Sequence, residues 1–386
     1  MKNSNQMNQM NYRPIRIIIS GGGTGGHIFP AVSIASKFRE LNPDSRILFV
    51  GAKGKMEMEK VPAAGFDIIG LPICGLQRKL SLKGLAHNIQ VPFKVLYSRA
   101  KARKIIRRFA PDIAIGVGGY ASAPLLSAAV KCHIPTLIQE QNGFAGLTNR
   151  MLAKDVDRIC VAYEGMEKFF PADKIVMSGN PIRPGIVRAT DGMKAEGLKH
   201  FGLSADRKHI LVVGGSLGCG TLNHAMMKWI GEGLPGGEDI EVIWQCGKFY
   251  ENQVREFMAA RECPSVHWSA FIDRMDLAYA CTDLVLSRSG ASSISEICVA
   301  GKACIFVPSP NVAEDHQTHN ALALVNRGAG RLVKDSEAVK KLIPQALELV
   351  HNGEELARIE ENALKMGLKD AAQTIVDEAY KLLDSK

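Results

Sequence analysis

Short, fully apolar runs recur along the chain, separated by longer stretches in which apolar residues return every three or four positions. Arg16-Ile17-Ile18-Ile19-Ser20 is the first such run, rich in β-branched residues, and reads as a strand buried on both faces. Runs of the same kind follow at 46–50, 66–71, 111–117, 134–138, 158–162 and 174–178. The series restarts at 208–213 and continues at 240–247, 266–271, 283–287, 304–308 and 330–333, and from 337 to 383 the apolar spacing is helical. Strands alternating with helices predict an α/β protein with a parallel sheet covered on both faces in each half.

The breaks between strand and helix carry most of the glycine. Gly21-Gly22-Gly23-Thr24-Gly25-Gly26-His27 follows the first strand, and the spacing predicts a helix opening at Ile28 with Pro30 in its first turn. A second glycine turn is Gly118-Gly119-Tyr120, and a third, Gly214-Gly215-Ser216-Leu217-Gly218, follows the strand that opens the second half. A strand, a glycine turn and a helix make an anion site, because backbone N–H groups approach a phosphate closely and the helix N-terminus adds partial positive charge. A tight turn that only packs helix on strand is the alternative. Gly21, Gly23 and Gly26 also match a dinucleotide fingerprint, which expects an acid about 20 residues on. Gly51-Ala52-Lys53 stands there instead, which disfavours a dehydrogenase, although Lys53 and Lys55 would suit a 2′-phosphate.

Two further clusters follow strands of the second half. In Ser287-Arg288-Ser289-Gly290-Ala291-Ser292-Ser293-Ile294-Ser295-Glu296, the acid falls about one turn into a helix. It can accept two hydrogen bonds from a ribose diol, or serve as an early acid favoured by the helix dipole. In Asp315-His316-Gln317-Thr318-His319-Asn320, Gln317 and Asn320 can pair with sugar hydroxyls. His27, His316 and His319 have no third ligand close in sequence, so no metal is expected. Glu140 and Asp315 are conceivable as an acid/base pair, or as carboxylates that only orient hydroxyls.

Composition narrows the class. The 386 residues suit two domains, and 46% hydrophobic with 23% charged residues is ordinary for a soluble globular protein. No run approaches the roughly 18 apolar residues of a membrane span. Residues 1–12 are polar, without the apolar core of a signal peptide, and read as a disordered tail. The nine cysteines show no close pairing and read as free buried thiols of a reducing cytoplasm. Gly179-Asn180-Pro181-Ile182-Arg183-Pro184-Gly185 suits a domain junction, giving domains at 13–184 and 185–364. The net charge of +9 is concentrated between Leu76 and Arg108, where Lys and Arg mix with apolar residues and no acid occurs. Such a stretch suits an anionic membrane surface; nucleic acid would accept the same charge, and a merely solvated helix face is the plain alternative.

Taken together, Gly22-Gly23-Thr24-Gly25-Gly26-His27, Gly118-Gly119-Tyr120-Ala121-Ser122, Glu140-Gln141-Asn142, Gly179-Asn180-Pro181-Ile182-Arg183, Gly214-Gly215-Ser216, Arg288-Ser289-Gly290-Ala291 and Asp315-His316-Gln317 closely resemble the MurG family of glycosyltransferases, from about Ile15 to the C-terminus. The resemblance implies the GT-B architecture: two Rossmann-like parallel-sheet domains facing a central cleft, with a terminal helix at 365–386 packing back on the first domain. It implies transfer of N-acetylglucosamine from UDP-N-acetylglucosamine to the 4-hydroxyl of the muramoyl sugar in undecaprenyl-pyrophosphoryl-MurNAc-pentapeptide, with inversion. Ile272 would meet uracil through its backbone and Glu296 would hold the ribose. Ser216, Ser292 and Ser293 would contact the diphosphate, assisted by Arg183, and Ala291, Ile294 and Ser295 of the same segment would be substrate-binding. Thr24, Gly25, Gly26, Asn142 and Gln317 would surround the transferred sugar.

Inversion needs one in-line displacement and a base for the acceptor hydroxyl. His27 is the first candidate and Glu140 the reserve; a loop histidine that only orients its surroundings is the alternative for His27. No cofactor, no metal and no nucleic acid are expected. The polyprenyl tail of the acceptor would bring Leu76 to Arg108 onto the cytoplasmic face of the inner membrane as a peripheral attachment, with cell-wall synthesis proteins as possible neighbours. Two residues depart from the family pattern: Gln139 stands where a histidine is expected, and Cys219-Gly220 follows Gly218. Other readings are a GT-B transferase with another acceptor, an isomerase like the UDP-N-acetylglucosamine 2-epimerases, and an NADP-linked oxidoreductase.

Overall fold

The computed structural model describes residues 11–73, 82–183, 185–215, 217–312 and 315–385, with the backbone alone for 82–93. The chain divides into two compact units, Met1–Ile182 with Asp370–Lys386, and Arg183–Lys369.

In the first unit β1 (Arg16–Ser20), α1 (Gly25–Leu41), β2 (Arg46–Ala52), α2 (Glu57–Ala63), β3 (Asp67–Leu71) and α3 (Leu82–Phe109) form one winding. Then β4 (Ile113–Gly116), α4 (Ser122–Lys131), β5 (Thr136–Glu140), α5 (Leu147–Leu152), β6 (Arg158–Val161) and β7 (Ile175–Met177) wind the other way. The strand order is β3-β2-β1-β4-β5-β6-β7, with parallel pairing, so the winding reverses between β1 and β4. That is the Rossmann order with one strand added, and ligands bind beyond the strand ends at such a reversal.

The continuous apolar run of β1 follows from burial on both faces. Ile17 and Ile19 pack with Ile34 and Phe38 of α1, while Ile18 joins Ala102, Ile106 and Leu125 on the other side.

The second unit repeats the plan with α6 (Asp191–Phe201), β8 (Lys208–Val213), α7 (Gly220–Gly231), β9 (Ile240–Gln245), α8 (Glu251–Ala259), β10 (Val266–Ser269) and α9 (Met275–Cys281). It continues through β11 (Leu284–Ser287), α10 (Ala291–Ala300), β12 (Ala303–Phe306), α11 (His316–Val325), β13 (Arg331–Leu332), α12 (Asp335–His351) and α13 (Gly353–Met366). Its order, β10-β9-β8-β11-β12-β13, is the Rossmann order itself.

The last helix, α14 (Ala371–Asp384), belongs to the first unit and buries Ile375, Val376, Ala379 and Tyr380 in the same cluster as Phe38. Burying each large side chain contributes roughly 1.5–3 kcal/mol. Tyr380 Oη donates to Arg13 O at 2.7 Å and Tyr12 Oη to Asp377 Oδ1 at 2.7 Å. Burial and Asp377 push the Tyr12 hydroxyl up to about 12. Tyr12, expected in a disordered tail, is therefore held by this helix.

The structure corrects three local expectations. Helix α1 begins at Gly25 rather than Ile28, because the N–H groups of His27 and Ile28 both reach Thr24 O at 3.1 Å. Pro30 thus lies in the second turn, where its missing N–H leaves Gly26 O without that helical partner. Strand β10 stops at Ser269 rather than running to Phe271, and the helical C-terminal stretch is three helices, the first break capped by Asn352, which accepts from Glu355 N at 3.1 Å. The described cysteines are free thiols, and burial holds those of Cys160 and Cys298 up to about 12.

Candidate active site

At the reversal in the first unit, two glycine turns interlock. A Cβ on Gly119 would stand 2.3 Å from Gly22 O, one on Gly21 would stand 2.7 Å from His27 O, and Gly23 has φ +86°, where only glycine is unstrained. His27, half-buried, lies over the second turn: a Cβ on Gly118 would be 2.8 Å from its Nε2. Its Nδ1 is 3.2 Å from Gly22 O and 3.3 Å from Thr24 Oγ1. A carbonyl oxygen only accepts, so Nδ1 is the donor in this contact. Thr24 and Gly26 are exposed and Gly25 is half-buried, so this face of the loop is open.

Beneath the loop lies a residue that the sequence pattern did not mark. Glu57, the first residue of α2, is 1% exposed and accepts from Gly23 N and from Ala52 N, each at 2.9 Å. It fills the space below Gly22, where a Cβ would come within 2.3 Å of Glu57 Oε1. One N–H group of this loop, that of Gly23, thus already serves a buried side chain of α2.

Glu140 is 2% exposed and saturated with donors: Asn142 N at 3.1 Å, Asn142 Nδ2 at 3.3 Å, Gly146 N at 3.0 Å and Asn149 Nδ2 at 2.9 Å. Burial pushes its carboxyl above the ordinary carboxylate range, and these bonds pull it part of the way back. It thereby fixes the loop that presents the half-buried Asn142. Gln139, standing where histidine was expected, donates from Nε2 to Asn180 Oδ1 at 2.9 Å, and Asn180 Nδ2 donates to Gln141 O at 2.9 Å. Asn149 and Asn180 are thus further network members; no sequence spacing singled out Asn149.

In the second unit a cavity of about 440 Å³ opens at the strand ends, lined by Gly214, Gly215, Gly218, Thr221, Tyr250, Ser293 and Gln317 among others. Its glycine turn packs backbone on backbone: a Cβ on Gly218 would stand 2.2 Å from Cys246 O. The N-termini of α7 and α10 supply first-turn N–H groups to this region. Arg288 lines the cavity but is committed to Val307 O at 2.8 Å, Pro308 O at 3.0 Å and Asp335 at 2.6 Å. Gln317 Oε1 accepts from Ser309 N at 2.9 Å.

Ser292 Oγ is buried with no hydrogen-bond partner among the described residues, Ala291 and Ile294 are buried, Ser295 is half-buried, and Ser216 lies outside the described residues. Ile272 N donates to Gln245 Oε1 at 3.0 Å. Glu296, 2% exposed, accepts from Arg183 Nε at 2.8 Å and Nη2 at 3.2 Å, and from Tyr279 Oη at 3.3 Å. Burial raises its carboxyl above the ordinary range, against the pull of Arg183 and Tyr279. Arg183, expected at the diphosphate, is thus placed on Glu296. Tyr279 is a partner that its apolar helix context concealed.

Models of the glycosyltransferase family 28 N-terminal and C-terminal domains match residues 17–161 and 209–375. The UDP-N-acetylglucosamine--N-acetylmuramyl-(pentapeptide) pyrophosphoryl-undecaprenol N-acetylglucosamine transferase of Parabacteroides distasonis is 52% identical over 374 residues, 97% of this chain and 100% of that one. The chain belongs to the MurG family of glycosyltransferases. The crystal structure of MurG from Acinetobacter baumannii is similar at a TM-score of 0.74 and 27% identity, covering 95% of this chain and 100% of that one. A UDP-N-acetylglucosamine 2-epimerase shares the fold alone, at a TM-score of 0.63 and 15% identity over 97% of each chain. MurG membership makes the two Rossmann-like units the paired domains of the GT-B class.

Proposed function

We propose that the chain transfers N-acetylglucosamine from UDP-N-acetylglucosamine to the muramoyl 4-hydroxyl of a polyprenyl-pyrophosphoryl-MurNAc-pentapeptide, with inversion. The observation that carries this reading is the second unit's cavity at the strand ends, served by two helix N-termini and lined by Ser293 and Gln317. It suits the diphosphate of a nucleotide sugar, since backbone N–H groups and hydroxyls stabilise a charge that grows as UDP leaves. Glu296, held by Arg183 and Tyr279, is the ribose acceptor, and Ile272 faces the base. In the first unit Nε2 of His27 takes the proton of the attacking hydroxyl; Glu140, already saturated, shapes the loop of Asn142. Transfer is a single displacement, with the bond to UDP breaking as the new glycosidic bond forms and the proton passing to His27.

The acceptor's lipid tail requires a membrane-facing surface. Helix α3 presents Arg99, Arg103, Lys104, Arg107 and Arg108 as exposed residues, with Leu96 63% and Tyr97 64% exposed beside them. That combination suits an anionic leaflet, while no described helix is long and apolar enough to cross a membrane. Residues 76–81 of the expected docking stretch lie outside the described residues.

The deciding experiment is UDP release with and without a short-chain analogue of the lipid-linked acceptor, with product mass. Acceptor-dependent release and a product heavier by one N-acetylhexosamine is the expected result; turnover without acceptor to an epimerised sugar would replace this reading with the isomerase. Charge reversal at Arg103, Lys104, Arg107 and Arg108 should abolish sedimentation with anionic vesicles, and unchanged sedimentation would remove α3 from the docking surface.

A further inference from the structure

We infer that Glu57 is a positioning residue for His27, setting which imidazole nitrogen carries the proton by fixing one peptide group of the first glycine loop. This rests on the reading of His27 as the base. The peptide joining Gly22 to Gly23 has two ends. Its N–H, on Gly23, donates to Glu57 Oε2 at 2.9 Å, and its C=O, on Gly22, lies 3.2 Å from His27 Nδ1. In a trans peptide these two groups point in opposite directions. The contact that draws the N–H down to Glu57 therefore aims the carbonyl at His27.

The other carboxylate oxygen, Oε1, accepts from Ala52 N at 2.9 Å, so α2 and the end of β2 anchor the carboxylate. Both oxygens are used as acceptors, and a buried carboxylate is tolerated because both bonds are charge-assisted. Glycine makes the alternative accessible. With Gly22 and Gly23 on either side, and φ +86° at Gly23, the peptide can turn over at little backbone cost. A flipped peptide would present an N–H to His27 Nδ1. That nitrogen would then accept, the proton would move to Nε2, and the lone pair needed for the acceptor hydroxyl would be lost. Glu57 holds the loop in the orientation that keeps it.

The test uses Glu57→Gln in the full chain, with histidine nitrogens labelled for NMR and His27→Ala to assign the signal. Glutamine keeps the shape but offers one acceptor and one NH2 group, and the NH2 is satisfied by the flipped Gly22 carbonyl. The expected result is a change of the neutral His27 ring from the Nδ1–H to the Nε2–H form. With it kcat should fall roughly 10- to 100-fold while the donor KM stays within about threefold. Glu57→Asp, which restores two acceptors, should recover the Nδ1–H form.

Gly22→Ala attacks the same contact from above, since its Cβ would stand 2.3 Å from Glu57 Oε1, and it serves as the test if Glu57→Gln does not fold. An unchanged tautomer in the folded variant overturns the inference, whatever happens to the rate. If His27→Ala leaves kcat intact, the base assignment fails, and the tautomer measurement still decides the positioning claim.

Discussion

The two glycine turns that open the two units look alike in sequence and stand at the same place in the same fold, yet they are built on different foundations. Under the turn at 21–24 lies a buried carboxylate, Glu57, 1% exposed and bonded to Gly23 N. Under the turn at 214–218 lie the Cys246 backbone, so close that a Cβ on Gly218 would be 2.2 Å from its O, the Tyr250 ring, and Gln245, whose Nε2 donates to Gly215 O at 2.9 Å. The first turn gives an N–H to an internal anion and turns a carbonyl toward a histidine. The second leaves the N-termini of α7 and α10 facing a cavity of about 440 Å³. Two glycine turns of similar sequence thus rest on different neighbours, a buried acid in one unit and the Cys246 backbone with Tyr250 in the other.

The comparison breaks most easily at the histidine. His27→Ala should lower kcat by roughly 10²- to 10⁴-fold with little change in donor KM, as expected for loss of a general base. A loss expressed in KM alone would make the first turn a binding element like the second. Next in size is Ser293→Asp, which places a carboxylate inside the second cavity. An acid in the first turn of α10 suits the helix dipole, so the melting temperature should hold. UDP affinity by calorimetry should fall by about 10²-fold, because like charges at close range cost several kcal/mol. Unchanged affinity would mean that the diphosphate does not lie there.

The smallest effect serves as a control away from both turns. His351 Nδ1 lies 2.7 Å from Leu347 O and Nε2 lies 3.0 Å from Asp239 Oδ2, so both nitrogens face acceptors. The Leu347 carbonyl, then Asp239, raise the ring above its ordinary 6.5. A raised histidine stabilises the fold fully below its unfolded value, and the contribution is lost as pH rises through the folded one. His351→Gln should thus flatten the change in melting temperature from about pH 6 upward. The whole effect should stay under about 1 kcal/mol for so exposed a pair, and both turns should keep their kinetics.

Much of the fold was legible because parallel strands buried on both faces must be continuously apolar, as Ile17, Ile18 and Ile19 are. The glycine turns were legible because close backbone approach excludes a side chain. Less could be read where partners come from distant positions. Glu57 looks like any acid opening a helix, and its role appears only when α2 brings it under Gly22. Tyr279 reads as one more apolar residue of α9 until its hydroxyl is found at Glu296. The start of α1 escaped the pattern because Gly25 and Gly26 have poor helix propensity, yet the helix is nucleated by Thr24 O.

By itself the sequence determined the alternation of strands and helices, the two glycine-led halves and the resemblance to the MurG family, because hydrophobic period and backbone sterics are local properties. Only the tertiary structure decided which turn has a carboxylate beneath it, which nitrogen of His27 faces the Gly22 carbonyl, and that Arg183 and Tyr279 meet at Glu296. Those are matters of charge and hydrogen bonding between residues far apart in the chain, and no local pattern encodes them.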